Sequence, residues 1–111
     1  MPPNTIGPIV RIAELEIDPS QIAAYKALLA EAVEASVRLE PGVLLLYAVS
    51  IKSEPGQVRM IEAYADHGAY EAHLTTPHFL KYKTQSAGMV KSLRLLETEP
   101  ISLQAKGQIS S

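Results

Sequence analysis

The sequence predicts an α+β protein with a ferredoxin-like split βαβ fold (βαββαβ), in which a four-stranded antiparallel sheet carries both helices on one face. Strand-like and helix-like patterns follow one another in the order strand, helix, strand, strand, helix, strand, and 111 residues suffice for one domain. A middle strand is apolar on both faces. The sheet face away from the helices is therefore also predicted to be buried against another surface.

A change of hydrophobic period predicts the first strand and the first helix. Residues 9–17 alternate between two faces, as in a β-strand. Asp18 is the candidate N-cap of the helix, Pro19 takes its first position, and the helix is expected to end near Leu39, before Pro41-Gly42. The apolar stripe of this helix consists of Ile22, Tyr25, Leu28, Leu29, Ala32, Val33 and Ser36.

A hairpin is predicted next. Residues 43–51 form a strand by length and composition, and residues 53–57 contain Pro and Gly in the order that a type II turn prefers. Residues 58–65 return as the partner strand. One face of this return strand carries Val58, Met60, Glu62 and Tyr64.

The second helix and a last strand complete the predicted domain, which covers residues 9–99. Asp66 is the N-cap, and the helix is expected to break or start again at Thr76-Pro77 and to end near Gly88. Residues 92–98 form the last strand.

The two ends of the chain lie outside this domain. Residues 1–8 contain three prolines and predict a flexible N-terminal arm. Residues 100–111 form a polar C-terminal tail, in which Ile101 and Leu103 are available to dock elsewhere.

The strand over residues 43–51 does not alternate between apolar and polar residues. Its predicted faces carry Leu44, Leu46 and Ala48 on one side and Leu45, Tyr47 and Val49 on the other. Two helices cover only one side of the sheet, and no segment of the chain is left to cover the second. The sequence therefore predicts an obligate homodimer, with sheet packed on sheet about a two-fold axis.

Composition excludes several classes of function. The chain has no cysteine, which excludes disulfides, thiolate catalysis and cysteine-based zinc or iron–sulfur sites. The formal charge is -2 and the basic residues are scattered, so neither nucleic acid nor a membrane surface is an expected partner. No signal-peptide pattern and no bilayer-spanning apolar run occurs, and a cytoplasmic location is expected.

Residues 62–79 contain all three histidines and are the predicted centre of any chemistry. His73 follows Tyr70 by about one helical turn and should point toward the sheet. It is either a hydrogen-bonded core residue or a neutral, partly desolvated base or hydrogen-bond partner for a ligand. His78 either caps the new helical turn or lines a cavity mouth, and His67 is interpreted as a solvated residue.

Glu62 and Tyr64 lie on one face of the third strand. If that face looks toward the helices, it supplies a carboxylate and a phenol to the same interior as His73, and Tyr47 is a further residue within reach of it. A buried carboxylate needs a partner, and Arg11 or Arg94 on a neighbouring strand is the candidate. The alternative is that Glu62 forms a plain ion pair at the rim of the sheet.

Neither a metal nor an organic cofactor is predicted. His73 and His78 are five residues apart with Pro77 between them, so they do not share a helical face, and no His-Glu-x-x-His pattern occurs. The sequence also lacks a phosphate-binding glycine loop, a Gly-x-Ser-x-Gly elbow and a dinucleotide fingerprint.

The helix motif resembles the signature of the antibiotic biosynthesis monooxygenase family of dimeric α/β barrels. The matching residues are Glu62-x-Tyr64 and then Ala69-Tyr70-x-x-His73-Leu74-x-Thr76-Pro77-His78-Phe79. The resemblance spans residues 9–97, and it includes Glu-x-x-x-Asp-Pro at the end of the first strand and Glu-Pro-Gly before the second.

The resemblance implies a fold dimerised through its sheets, with a pocket between sheet and helices in each subunit. Family members include cofactor-independent oxygenases of quinols and polycyclic phenols, haem-degrading enzymes and proteins that act on a small signalling molecule. In the first group the substrate supplies the electrons, and a base or hydrogen bond favours the phenolate that reacts with oxygen in a dry cavity.

Two departures from the family pattern bear on which of these activities is expected for the chain. Many members carry Trp where this chain has Tyr64, and the chain has no Trp. The nearest matches to the haem-binding residues are Glu14 or Glu16, His73 and Lys83, which disfavours haem degradation.

The leading hypothesis is a cofactor-independent monooxygenase that oxidises a small quinol or phenol with O2. His73 is the candidate base or hydrogen-bond acceptor, and the candidate substrate-binding residues are Tyr47, Glu62, Tyr64, Tyr70 and His78. One alternative is a non-catalytic small-molecule binding or stress-associated protein on the same scaffold. Another is an isomerase or degradation enzyme for a phosphorylated or sugar-like metabolite, which cationic side chains in the cavity would favour.

Overall fold

The computed structural model describes residues 7–107 and confirms the ferredoxin-like βαββαβ arrangement. The strands are β1 (Ile9–Ile17), β2 (Val43–Ile51), β3 (Glu54–Tyr64) and β4 (Val90–Glu97), all antiparallel, in the spatial order β2-β3-β1-β4. A 3-10 turn (Pro19–Gln21) leads into α1 (Ile22–Leu39), and two helices, α2 (His67–His73) and α3 (Pro77–Ser86), connect β3 to β4. The last strand begins two residues before its predicted start.

The predicted terminal segments are only partly described. Residues 1–6 of the expected N-terminal arm and residues 108–111 of the expected tail lie outside the described part of the chain.

Helix boundaries follow the capping signals in the sequence. The carboxylate of Asp18 accepts a hydrogen bond from the backbone N–H of Ser20 (2.9 Å) at the head of the 3-10 turn, and α1 ends at Leu39 as predicted. The carboxylate of Asp66 accepts from the backbone N–H of Ala69 (2.8 Å) and caps α2. None of the described helices has both the length and the apolar character needed to cross a membrane.

The predicted break at Thr76-Pro77 separates two helices. The hydroxyl of Thr76 accepts a hydrogen bond from the backbone N–H of Phe79 (3.2 Å), and Pro77 takes the first position of α3. The same hydroxyl donates to the backbone carbonyl of His73 (2.9 Å), which ties the start of α3 to the last residue of α2. Residues 73 and 78 therefore belong to different helices.

The hairpin turn lies earlier than the predicted position over residues 53–57. The chain reverses at Lys52–Ser53, and Pro55 and Gly56 lie within β3, where its register against β2 shifts. Gly56 lacks the positive φ that a type II turn requires. A Cβ at this position would come 3.0 Å from the carbonyl oxygen of Ile17, so the missing side chain lets the two strands approach closely.

The predicted faces of β2 are wrong at the start of the strand. A register shift between Val43 and Leu45 places an extra residue, Leu44, opposite β3. Val43 and Leu46 are consequently buried on the helix side, whereas Leu44 is about half exposed.

The hydrophobic core lies between the sheet and the helices. Its larger buried cluster consists of Ala13, Leu15, Ile17, Tyr25, Leu29, Val58 and Met60, and its smaller cluster of Val43, Leu46 and Tyr64. The face of β3 that carries Val58, Met60 and Tyr64 looks toward the helices, since all three residues are buried.

Gly42, in the turn between α1 and β2, touches α2 so closely that an added Cβ would collide with the side chain of Ala69. We expect Gly42→Ala to displace α2 and to lower the free energy of unfolding by about 1–3 kcal/mol, measured by urea denaturation. Gly88→Ala is the matched control, because no atom lies within 4 Å of a Cβ there and its φ is not positive. It should be neutral or slightly stabilising. Equal losses in the two variants would contradict the close approach.

Candidate functional site

A cavity of about 370 Å³ lies between the helices and the sheet, and most of its wall is apolar. The polar or ionisable side chains in the wall are Arg11, Ser36, Glu62, Tyr64, Tyr70, His73, Tyr82 and Lys83. An apolar cavity of this size with a few converging polar groups is the usual form of a small-molecule site. The fold therefore brings together four of the predicted site residues: Glu62, Tyr64, Tyr70 and His73.

His73 is the last residue of α2 and is only 7% exposed. Its ring packs against those of Tyr64 and Phe79, with centroids 5.3 and 5.0 Å away. Its Nδ1 faces the carboxylate of Glu40, 3.0 Å from Oε2 and 3.2 Å from Oε1. Its Nε2 has no hydrogen-bond partner within residues 7–107. Every fully buried side-chain nitrogen or oxygen of those residues has a partner, so Nε2 keeps some accessible surface, and the side chain of His73 lines the cavity.

Glu40 directly follows α1, and its carboxylate also accepts a hydrogen bond from Nε2 of His78 at 2.5 Å. Burial by itself raises the pKa of Glu40. The hydrogen bonds from His78 and His73 outweigh that effect, and the pKa lies below its ordinary value. Glu40 is therefore an ionised acceptor held between two imidazoles.

The sequence pattern does not single out Glu40 as a site residue. Its one signal is its place in the Glu-Pro-Gly motif, which marks the end of a helix. Nothing in that motif indicates contacts with side chains 33 and 38 residues further along the chain.

The other two histidines do not line the cavity. His78, near the start of α3, donates to Glu40, which is neither of the two roles expected for it. His67 lies 3.7 Å from Glu71 in an i,i+4 pair, and both side chains are about two-thirds exposed. This position agrees with the interpretation of His67 as a solvated residue.

Glu62 is held by a tyrosine and not by an arginine. Tyr64 is fully buried, and its hydroxyl donates to Oε1 of Glu62 at 2.7 Å. Burial raises the pKa of Tyr64 far above its ordinary value, and the charge of Glu62 raises it further, so the phenol stays a donor. The predicted pairing of Glu62 with Arg11 or Arg94 is wrong, because Arg11 pairs with Glu97 (2.9 Å) and Arg94 forms its ion pair elsewhere.

Tyr70 forms part of the cavity wall together with Arg11. Its ring packs edge-on against Tyr64, with centroids 5.2 Å apart, and the guanidinium of Arg11 lies 4.4 Å from its centroid. This contact adds a cation–π attraction to the ion pair that holds Arg11 at the cavity.

Tyr47 does not reach this interior. It is 42% exposed and stands opposite Ile61 in the sheet, on the face away from the helices. Tyr82, which the sequence does not single out, lines the cavity instead, and its hydroxyl lies 2.6 Å from that of Tyr25.

Glu40, His73 and His78 also form a set of the kind that binds metals. One ligand atom from each residue lies within 4.8 Å of the other two. The sequence predicts no metal here because residues 73 and 78 do not share a helical face. That expectation holds for one continuous helix, whereas the two imidazoles stand on two helices that meet at Glu40.

Comparison with known proteins places this geometry in context. Residues 8–85 match the family model described as antibiotic biosynthesis monooxygenase. None of the curated proteins matches the chain.

Several solved structures share the fold. A provisionally assigned antibiotic biosynthesis monooxygenase from Bacteroides thetaiotaomicron is 44% identical with a TM-score of 0.88, over 92% of this chain and 97% of that one. A provisionally assigned monooxygenase from Lactobacillus acidophilus is 26% identical (TM-score 0.79) over 80% of this chain and 42% of its own. A protein from Nitrosomonas europaea, at 21% identity and a TM-score of 0.80 over 86% and 91% of the two chains, shares the fold.

Removing the carboxylate of Glu40 should leave Nδ1 of the buried His73 without a partner. We expect Glu40→Ala to lower the free energy of unfolding by about 2 kcal/mol in chemical denaturation. Glu34→Ala, the same replacement on α1 away from these imidazoles, should change it by less than about 0.5 kcal/mol. Similar values for both variants would show that the bonds to the imidazoles contribute no stability.

Proposed function

The chain belongs to the antibiotic biosynthesis monooxygenase family, and from this premise we propose that it is a cofactor-independent monooxygenase of a small quinol or phenol. The observation that carries the proposal is the position of His73, which lines an apolar cavity while its Nδ1 is bonded to Glu40. No other histidine lines the cavity in the described part of the chain.

The bond to Glu40 supports a defined role for the imidazole. When Nδ1 carries the proton that it donates to Glu40, Nε2 carries a lone pair directed at the cavity. Nε2 is then the acceptor for a phenolic hydroxyl of the substrate. Glu40 acts through His73 as a positioning residue, because it fixes the tautomer and the direction of the ring.

The proposed reaction balances without a cofactor. The substrate hydroxyl gives its proton to Nε2 of His73, and the resulting phenolate is rich enough in electrons to reduce O2. One oxygen atom bonds to a ring carbon, the O–O bond breaks, and the other oxygen leaves as water with the proton returned from His73 and the hydrogen lost from that ring carbon. A hydroquinone and O2 thus give a hydroxyquinone and H2O, and the substrate supplies all four electrons.

The remaining wall fits an aromatic substrate. Its apolar side chains offer few competing hydrogen-bond partners, which favours the hydrogen bond between the reacting hydroxyl and His73. The rings of Tyr70 and Phe79 offer surfaces for stacking or edge contacts. Glu62 and Tyr64 satisfy each other, so they shape the wall without leaving a buried charge unpaired.

A second candidate function has one observation in its favour. Arg11 and Lys83 line the cavity, and two cations favour an anionic metabolite as the substrate of an isomerase or degradation enzyme. Arg11 is already paired with Glu97, however, and Glu62 adds a negative charge to the same wall. The net charge of the cavity therefore fits a neutral quinol better.

The role of His73 is tested by oxygen uptake with a hydroquinone and no added cofactor. We expect His73→Gln to lower the rate by about 10²- to 10⁴-fold, because the amide cannot accept the proton. His67→Gln, which changes the exposed histidine in the same way, should leave the rate unchanged. Equal rates in wild type and His73→Gln, with both chains folded by circular dichroism, would remove His73 from the reaction.

We also propose that the chain forms a homodimer through the sheet face that lies away from the helices. On this face Tyr47, Val49 and Ile61 are 42%, 57% and 45% exposed. Tyr47 and Ile61 are direct cross-strand neighbours, so the exposed side chains form one continuous apolar patch. A second copy of the same sheet covers such a patch with the same surface.

The homodimer is tested by placing a charge in the patch. We expect Ile61→Asp to convert a dimer into a monomer in sedimentation velocity, because two carboxylates would be buried at a symmetric interface. Leu80→Asp is the matched control on α3, where the leucine is also about half exposed. A monomeric wild type, or an Ile61→Asp chain that stays dimeric, would refute this interface.

A further inference from the structure

We propose that Glu40, His73 and His78 form a binding site for a divalent transition-metal ion, and that an ion bound there switches off the imidazole of His73. The binding site stands on the geometry of the three side chains alone. The switching effect rests in addition on the proposed oxygenase function.

The distances suit an ion with little rearrangement. Oε2 of Glu40 lies 3.0 Å from Nδ1 of His73 and 2.5 Å from Nε2 of His78, and all three ligand atoms lie within 4.8 Å of one another. In a tetrahedral zinc site with bonds of about 2.0–2.1 Å, ligand atoms are about 3.4 Å apart. Side-chain rotations that move the ligand atoms by about 1 Å or less therefore open the site.

The three ligands are held by separate parts of the fold. Glu40 follows α1, His73 ends α2 and His78 lies in the first turn of α3. Their side chains are only 9–14% exposed, and Thr76 fixes the junction between the two histidine-bearing helices. A site assembled in this way differs from the exposed i,i+4 pair on α2, whose two side chains are about two-thirds exposed and 3.7 Å apart.

The donor set defines the class of ion. Two imidazole nitrogens and one carboxylate suit Zn²⁺, Co²⁺, Ni²⁺, Mn²⁺ or Fe²⁺, whereas Mg²⁺ and Ca²⁺ prefer sites made of oxygen ligands. The chain has no cysteine to compete for the ion.

Binding changes what His73 presents to the cavity. In the tautomer proposed above, Nδ1 donates to Glu40, and Nε2 carries the lone pair that would accept from a substrate. An ion takes the lone pair of Nδ1, so the ring proton must move to Nε2. His73 then donates into the cavity and cannot accept a phenolic proton. No bond is broken in the substrate, and removal of the ion restores the first state.

The test is titration of the chelator-treated full chain with Zn²⁺ by isothermal calorimetry, with a parallel measurement of thermal stability. We expect one Zn²⁺ per chain and a melting temperature that rises with Zn²⁺ concentration. His78→Gln and Glu40→Gln should each weaken binding by about tenfold or more. His67→Gln is the matched control, because it makes the same replacement at an exposed histidine outside the site, and it should bind Zn²⁺ as the wild type does.

The outcomes separate binding from switching. Absence of Zn²⁺ binding, or equal binding by wild type and His78→Gln, would overturn the site. Zn²⁺ should also slow oxygen uptake by the wild type reversibly, with about tenfold more Zn²⁺ needed for His78→Gln. Binding at the three residues without slower uptake would overturn the switch. A chain that binds Zn²⁺ through these residues but never consumes oxygen would confirm the site and contradict the proposed oxygenase.

Discussion

The carboxylate of Glu40 is the group on which the site depends. It accepts hydrogen bonds from His73 and His78, and through them it joins the end of α1 to the junction of α2 and α3. An ionised carboxylate is unfavourable in a largely buried position unless donors replace the lost water. The two imidazoles supply those donors, and in return the carboxylate holds the ring of His73 through its Nδ1.

The backbone around Glu40 makes this contact possible. Gly42, two residues later, lets α2 approach the turn between α1 and β2, and its carbonyl accepts a hydrogen bond from the backbone N–H of Ala65 at 2.8 Å. Thr76 then starts a new helix while bonding back to His73. A turn that admits α2 and a capped helix break together bring Glu40 and the two histidines to one point.

The sheet carries apolar side chains on both faces, and the structure uses the faces differently. On the helix side, small clusters of buried residues leave a cavity of about 370 Å³ unfilled. Protein interiors are normally packed with few voids larger than a water molecule, so a cavity of this size is in keeping with the proposed small-molecule site. On the opposite side, the residues around Tyr47 and Ile61 remain exposed in the single chain, which accounts for their place in the proposed homodimer.

The sequence by itself determined the order of the elements, the cap at Asp66, the helix break at Thr76-Pro77 and the residues that share one face of β3, because periodicity and capping depend on neighbouring residues. It also indicated His73, which follows Tyr70 by a helical turn. Only the tertiary structure decided that Glu40 bonds to His73 and His78, that Tyr64 and not an arginine holds Glu62, and that Tyr47 faces away from the cavity. These contacts depend on how helices and strands that are distant in the chain are placed relative to one another, and local sequence patterns do not indicate that placement.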